Sequence, residues 1–362
     1  MSRELESINI CSFIIHGMIS IRLLSIPRAI VEYAENDSWI SVLIMGGYAL
    51  LIGYLFYWLG LRYKSLTFSQ ICEKVYGKFF GKIIILGIAI YTIISFSLGI
   101  RLFTDGIRIF LLDTTPIIFI ITIMILACLY CLLKGVRTIS IILDMLLPLI
   151  LAFILLLVFL SLKNVKFIHL RPFFYGGVKP ILQGAREMAD PFLTVGIIGY
   201  VLPYFKNFKK MKKWIAISVS ISVAVYTIIL LLCIMAFGST EIKYLIFPTI
   251  TLSKSIMLES NILERAESLY MAAWIPITFS TLLLFYLAST LNLKAFFNTK
   301  KDRVIIFSQV PLFLVLALYP DNISEVFYLI GWNEDLGQLL IFLIVPLTAM
   351  IEFFKERRKN LK

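Results

Sequence analysis

The chain has 362 residues, 60% of them hydrophobic and only 15% charged, with a mean hydropathy of +0.93. A soluble domain carries about 25% charged residues, so water is excluded as the solvent for most of this surface and an integral membrane protein is expected. The net charge of +12 does not indicate nucleic acid, because Lys and Arg fall in short clusters between apolar runs, where they meet lipid headgroups.

The N-terminal residues Met1–Ser7 include acids and no cleavage-site pattern, so the first apolar run reads as a retained helix. A spanning helix needs about 20 mostly apolar residues. The chain predicts ten: Ile8–Val31, Trp39–Leu61, Ile83–Ile100, Pro116–Leu133, Thr138–Ser161, Pro191–Phe205, Trp214–Phe237, Leu269–Leu293, Val304–Tyr319 and Leu336–Ile351. The sixth, ninth and tenth are short; the sixth extends backwards most readily, through Pro180–Asp190. The whole chain reads as one polytopic membrane domain, with halves near 1–165 and 175–351 and a basic tail over 352–362.

Cationic residues are retained on the cytoplasmic side. With the N-terminus inside, the inner segments carry 22 Lys and Arg, the densest cluster running from Lys206 to Lys213, against 8 counted on the outer side: Arg28, Lys163, Lys166, Arg171, Lys179, Lys243, Lys254 and Arg265. Both termini are therefore expected in the cytoplasm. Ten spans divide into two sets of five, and because five is odd the second set enters from the opposite face, the topology of inverted-repeat transporters. In such folds the first helix of each half is discontinuous, and freed backbone groups bind a small solute. The corresponding places here are Ser20-Ile21-Arg22 ahead of Pro27, and the sixth segment with Pro191, Gly196, Gly199 and Pro203.

Arg22 is the most informative residue, since a charge at a helix centre costs about 2.5–3.5 kcal/mol on insertion scales and faces a cavity or a partner. Two readings stand side by side: a cation in the solute site that pairs with an anionic ligand or an internal carboxylate, and a structural ion pair with Asp144 or Asp190. Arg101, Asp105 and Arg108 lie at i, i+4 and i+7, a spacing that lets the carboxylate meet both cations as an interfacial cluster or a gate. Glu264, Arg265 and Glu267 open the eighth helix, where acids complement the positive helix end. Tyr270 and Trp274 are four apart on one face, suited to a solute cavity or to helix packing. His16, inside an apolar helix, reads as a packed histidine. Cys128 and Cys131 form a CxxC in an apolar helix, where small-hydrophobe packing is expected rather than redox or metal chemistry. There is no metal cluster, nucleophile elbow or phosphate-cradling loop in the sequence, so no catalytic residue, metal or cofactor is assigned.

Several stretches carry a resemblance to a known family. Ile8-Asn9 through Pro27-Arg28 and Asn36-Asp37-Ser38-Trp39-Ile40 resemble the start of the B subunit of spore germinant receptors (the GerAB type), a branch of the amino acid–polyamine–organocation transporter superfamily. Leu202-Pro203-Tyr204-Phe205-Lys206 resembles its proline-terminated sixth helix, Phe247-Pro248-Thr249 its extracytoplasmic turn, and Leu263-Glu264-Arg265-Ala266-Glu267 with Trp274 its eighth-helix entry. The resemblance implies a LeuT-like fold, a nutrient site between the first, third, sixth and eighth helices, germinant receptor A and C subunits as partners, and the spore inner membrane as location. The candidate ligand-binding set is then Ser20, Ile21, Arg22, Thr194, Gly196, Gly199, Tyr270 and Trp274, with an amino acid or another small solute as ligand. Two departures stand out: Ser20-Ile21-Arg22 replaces a glycine-x-glycine, and Gly196-Ile197 replaces a glycine followed by glutamate. Both changes predict a site more electropositive than in relatives. A germinant receptor subunit is the first expectation; an ion-coupled amino acid transporter and a water or ion permeation pathway are the alternatives.

Overall fold

The computed structural model describes residues 5–63, 66–162, 165–172, 174, 176–208, 210–257 and 266–360, with side chains described except at 110, 254–257, 266–273 and 358–360. Helix is the dominant element, and among the described residues the sole extended pairing is an isolated bridge between Leu5 and Phe205.

Seven helical stretches are long and apolar enough to cross a membrane by themselves. They account for the second span, Ser38–Arg62, the third, Phe68–Phe110, the fourth, Ile117–Lys134, the fifth, Val136–Ser161, the seventh, Met211–Ile242, the eighth, Ala266–Phe297, and the tenth, which starts at Ile323. The remaining three are two broken helices and the 17-residue ninth span, Asp302–Leu318. The first span consists of Ile10–Met18 and Ile26–Ala34. The sixth runs from Val178–Glu187 through Ala189–Leu193 and irregular turns to Tyr204. Each half of the chain thus opens on a broken span. A short helix, Pro248–Met257, lies between the seventh and eighth spans.

Several boundaries differ from the expectation. The third span starts at Phe68 rather than Ile83, with a kink at Gly77, whose φ of +83° favours glycine, and it ends at Phe110, which places Arg101, Asp105 and Arg108 inside it. The sixth starts at Val178, because its outer segment is amphipathic and is carried by tertiary packing on the first and second spans rather than by its own hydropathy. The tenth begins at Ile323, well before Leu336. Its first half carries Glu325, Asn333, Glu334 and Asp335, which hide it from a hydropathy window. The stretch from 352 is no free tail: helix continues to Asn360, and Glu352 is buried against Arg62 at 3.0 Å. A π-helical segment, Gln338–Leu343, sits in the middle of the tenth span.

The two halves lock together through close helix contacts. The third and eighth spans pack most extensively. A Cβ on Gly199 would lie 2.5 Å from Phe56 and 2.8 Å from Phe68, so the sixth span approaches the second and third at a distance only glycine permits. At the end of the bundle carrying the termini, the Leu5 amide donates to the Tyr204 carbonyl (3.1 Å) and the Lys206 amide to the Leu5 carbonyl (3.0 Å). Arg62 joins Glu352 and Glu356 (2.7 Å) at the same end. The Leu5 contacts tie the start of the first span to the end of the sixth, and the Arg62 pairs tie the second span to the tenth.

Candidate functional site

The break in the first span is built from short polar residues. Ser20 is extended (φ −109°, ψ 177°), and its hydroxyl accepts from the Arg22 amide at 3.3 Å, capping a single turn, Ile21–Leu24, before Ser25 and Pro27 restart the helix. A break frees carbonyls that lipid cannot satisfy, and hydroxyls from other spans take them up. Tyr226 of the seventh span donates to the Met18 carbonyl at 2.7 Å and accepts from the Ser20 amide at 3.4 Å. Thr281 donates to the His16 carbonyl (2.9 Å) and Thr249 to the Leu23 carbonyl (2.8 Å). The break in the sixth span lies alongside: a Cβ on Gly17 would be 3.1 Å from the Thr194 Cβ, and the Thr194 hydroxyl donates to the Pro191 carbonyl at 2.6 Å.

Arg22 projects from this turn into a carboxylate pair. Its Nη2 lies 2.7 Å from Glu334 Oε1 of the tenth span and its Nε 3.2 Å from Asp190 Oδ2 of the sixth; the three side chains are 8%, 6% and 16% exposed. Neither Arg22 Nε nor Glu334 Oε1 has a well-aligned hydrogen bond, so both contacts are charge contacts. Asp190 is one of the two partners expected from the sequence. Asp144, the other, is held instead by the Asn9 amide (2.7 Å) and the Ser12 hydroxyl. Glu334 is not among the sequence candidates, because the polar first half of the tenth span lies ahead of its apolar run. In the assembled cluster one guanidinium faces two carboxylates.

Two small cavities meet at Thr194 and Phe285, and one of them reaches this cluster. One is lined by Ser20, Ile21, Arg22, Ser95, Asp190, Thr194, Phe285 and Asn333, drawn from the first, third, sixth, eighth and tenth spans. The other, sharing Thr194 and Phe285, is mostly apolar and adds Gly17, Ile88, Gly196, Ile197, Leu284 and Ile341. Each leaves only about 30 Å³ for the centre of a water-sized sphere, which is room for one or two waters. A larger cavity of about 420 Å³, lined by Arg22, Arg28, Glu32, Tyr33 and Glu187, runs from the cluster toward the end opposite the termini. The Asn333 amide donates to Ser95 (2.8 Å) and to the Tyr91 carbonyl (3.3 Å), while its buried Oδ1 has no partner among the described residues.

The other sequence candidates separate. Ser20, Ile21, Arg22, Thr194 and Gly196 line the cavities, but Gly199 and Trp274 do not. Trp274 is buried against Phe103, with ring centroids 5.0 Å apart, and over Gly106, so its place is helix packing. The side chains of Glu267 and Tyr270, and the whole of Glu264 and Arg265, lie outside the described residues. Asp105 meets Arg101 at 3.1 Å but not Arg108, which reaches the Asp113 carbonyl at 3.5 Å. Arg101 is buried and also donates to the Ala317 carbonyl (3.2 Å), so this pair fastens the third span to the ninth rather than forming an interfacial cluster. His16 is satisfied on both ring nitrogens, by Ser280 and the Leu143 carbonyl (2.8 Å each). Cys128 and Cys131 are buried free thiols. Among the described residues no group of three or more His, Cys, Asp and Glu is placed to hold a metal ion.

A pocket at paired helix breaks in a ten-span bundle defines the LeuT-type transporter fold. Solved structures agree on the fold: the nucleobase-cation-symport-1 family transporter Mhp1 with bromovinylhydantoin bound matches with a TM-score of 0.68, 13% identity, and coverage of 95% of this chain and 79% of that one. MhsT in complex with L-phenylalanine matches with a TM-score of 0.61, 13% identity, and coverage of 94% and 87%. The family model for spore germination proteins matches residues 4–326, and the chain belongs to that family. Its relatives in Bacillus subtilis (strain 168) include spore germination protein YndE, 26% identical over 96% of this chain and 95% of the relative, and spore germination protein A2, 27% identical over 95% and 93%.

Proposed function

We propose that this chain is the membrane subunit of a germinant receptor, binding a small nutrient in the cavities at the breaks of its first and sixth spans and signalling through partner subunits. One observation carries the reading: in a spore germination protein, polar groups from four spans, the first, third, sixth and tenth, converge on a small pocket that shares Arg22 with a wider cavity. The described chain is almost wholly spans and short connections, so output beyond the membrane passes through another polypeptide or through a solute flux. Receptor A and C subunits are the partners the family resemblance implies. The inner membrane of the spore is the location the family resemblance implies, and the 22 to 8 cationic asymmetry supports an orientation with both termini cytoplasmic. The wider cavity would then face away from the cytoplasm. The ligand-binding assignment is Ser20, Ile21, Arg22, Thr194 and Gly196 from the sequence set, joined by Asp190, Asn333 and Glu334.

Deleting the gene in its host and scoring spore germination against a panel of amino acids, sugars and amines tests the function. Loss of the response to one nutrient is expected. Unchanged germination to every nutrient, with loss of uptake of one solute in growing cells, would transfer the assignment to the transporter alternative, which the same pocket architecture supports.

A further inference from the structure

The cluster at the helix breaks holds more negative charge than positive. Arg22 is closer to Glu334 (2.7 Å) than to Asp190 (3.2 Å), and Glu334 is the more deeply buried of the two carboxylates. Arg22 and Glu334 therefore form the internal pair, and Asp190 is left with a surplus charge. Asp190 is also the carboxylate that lines the small cavity, where Glu334 does not. The wider cavity beside Arg22 adds Glu32 and Glu187 against Arg28, which leaves the surplus negative. A buried carboxylate without a full countercharge is costly.

A second, independent observation points the same way. Asn333 is only 8% exposed, lines the same cavity, and has an Oδ1 with no partner among the described residues. The Tyr91 carbonyl can accept only from the amide nitrogen, which fixes the oxygen as the free end. The cavity thus offers a carboxylate and a carbonyl oxygen, both acceptors, and its one cation is already engaged. Beyond Thr194 and Phe285 the neighbouring cavity is mostly apolar, walled by Ile88, Leu284 and Ile341, with Tyr91, Thr92, Tyr200 and Thr281 also in its lining.

We infer that the ligand is a small primary amine, its ammonium group held by Asp190 and Asn333 Oδ1 and a short aliphatic portion lying in the apolar cavity, with Arg22 serving as the fixed counterion of Glu334 rather than as an anchor for an anion. This rests on the pocket assignment made above and adds the charge and shape of the solute. An ammonium supplies both the missing charge and the hydrogen-bond donors. A carboxylate ligand at the same place would add a third negative group around one guanidinium.

The test uses the purified full-length protein in detergent at neutral pH and three probes of matched length: n-propylamine, propionate and 1-propanol, read by thermal stabilisation and calorimetry. Propylamine is expected to bind and the other two not. Asp190→Asn should weaken propylamine binding about tenfold to a hundredfold, the worth of a charge-assisted hydrogen bond, while Asp190→Glu, which keeps the charge if Asp190→Asn fails to fold, should retain measurable binding. No binding of propylamine, or propionate binding more tightly, overturns the inference. Thr194→Trp, which fills the passage between the two cavities, separates the two layers of the argument. Amine binding lost in folded Thr194→Trp but unchanged in Asp190→Asn sinks the charge assignment and leaves the pocket. Amine binding that survives in folded Thr194→Trp sinks the pocket itself.

Discussion

Replacing Arg22 by glutamine should cost this protein more stability than replacing either of its carboxylate partners. In the native cluster one guanidinium sits 2.7 Å from Glu334 and 3.2 Å from Asp190, with all three side chains largely out of contact with solvent. Arg22→Gln removes the only positive charge and leaves two buried carboxylates, the situation in which breaking a buried pair costs about 3–5 kcal/mol. Glu334→Gln leaves Arg22 paired with Asp190 and removes the surplus charge, so its cost should stay within about 1–2 kcal/mol, close to that of one lost hydrogen bond. The double variant Arg22→Gln/Glu334→Gln should recover about 2 kcal/mol relative to the sum of the single changes, a coupling of the size expected for groups in contact. Thermal unfolding of the purified proteins in one detergent reads the series. Arg22→Gln should fall by roughly 10 °C, on the scale of about 2–4 °C per kcal/mol for domains of 150–250 residues, and Glu334→Gln by a few degrees at most. Equal losses for the two single variants, or strict additivity in the double, would refute the idea that the carboxylates share one countercharge.

Three further outcomes follow from the packing. Gly199→Ala should destabilise by about 1–3 kcal/mol as an overpacked contact, because its Cβ would stand 2.5 Å from Phe56, whereas Gly47→Ala, with nothing within 4 Å, should be neutral or stabilising in the same unfolding assay. Tyr226→Phe strips the hydroxyl from the Met18 carbonyl and the Ser20 amide, and should cost about 1–3 kcal/mol and impair the nutrient response; a fully stable and responsive variant would show that the break is held by other contacts. Single cysteines at Lys206 and Lys179 should label from opposite sides of the membrane, Lys206 from the cytoplasm, and labelling of both from one side would contradict the ten-span topology.

The primary structure by itself determined the solvent and the architecture of this protein. Apolar runs long enough to cross a bilayer are a local property, and so are the cationic loops between them, because the partition of each segment into lipid depends on its own side chains. The break at Ser20-Ile21-Arg22 was equally legible, since a charged residue followed by Pro27 is intolerable in a straight lipid-facing helix. Tertiary structure alone decided what the break is for. The outer segment of the sixth span, Val178–Glu187, is a membrane element only because the first and second spans cover its apolar face, and the polar start of the tenth, Ile323–Gly337, is admitted only because Glu334 finds Arg22. Neither is visible to hydropathy, which charges every polar group the full cost of desolvation and cannot see a partner that pairs with it. The sign of the site's charge is a property of the assembled cluster, in which an arginine that in the sequence suits either a solute site or an ion pair becomes the minority charge among carboxylates brought in from two other spans.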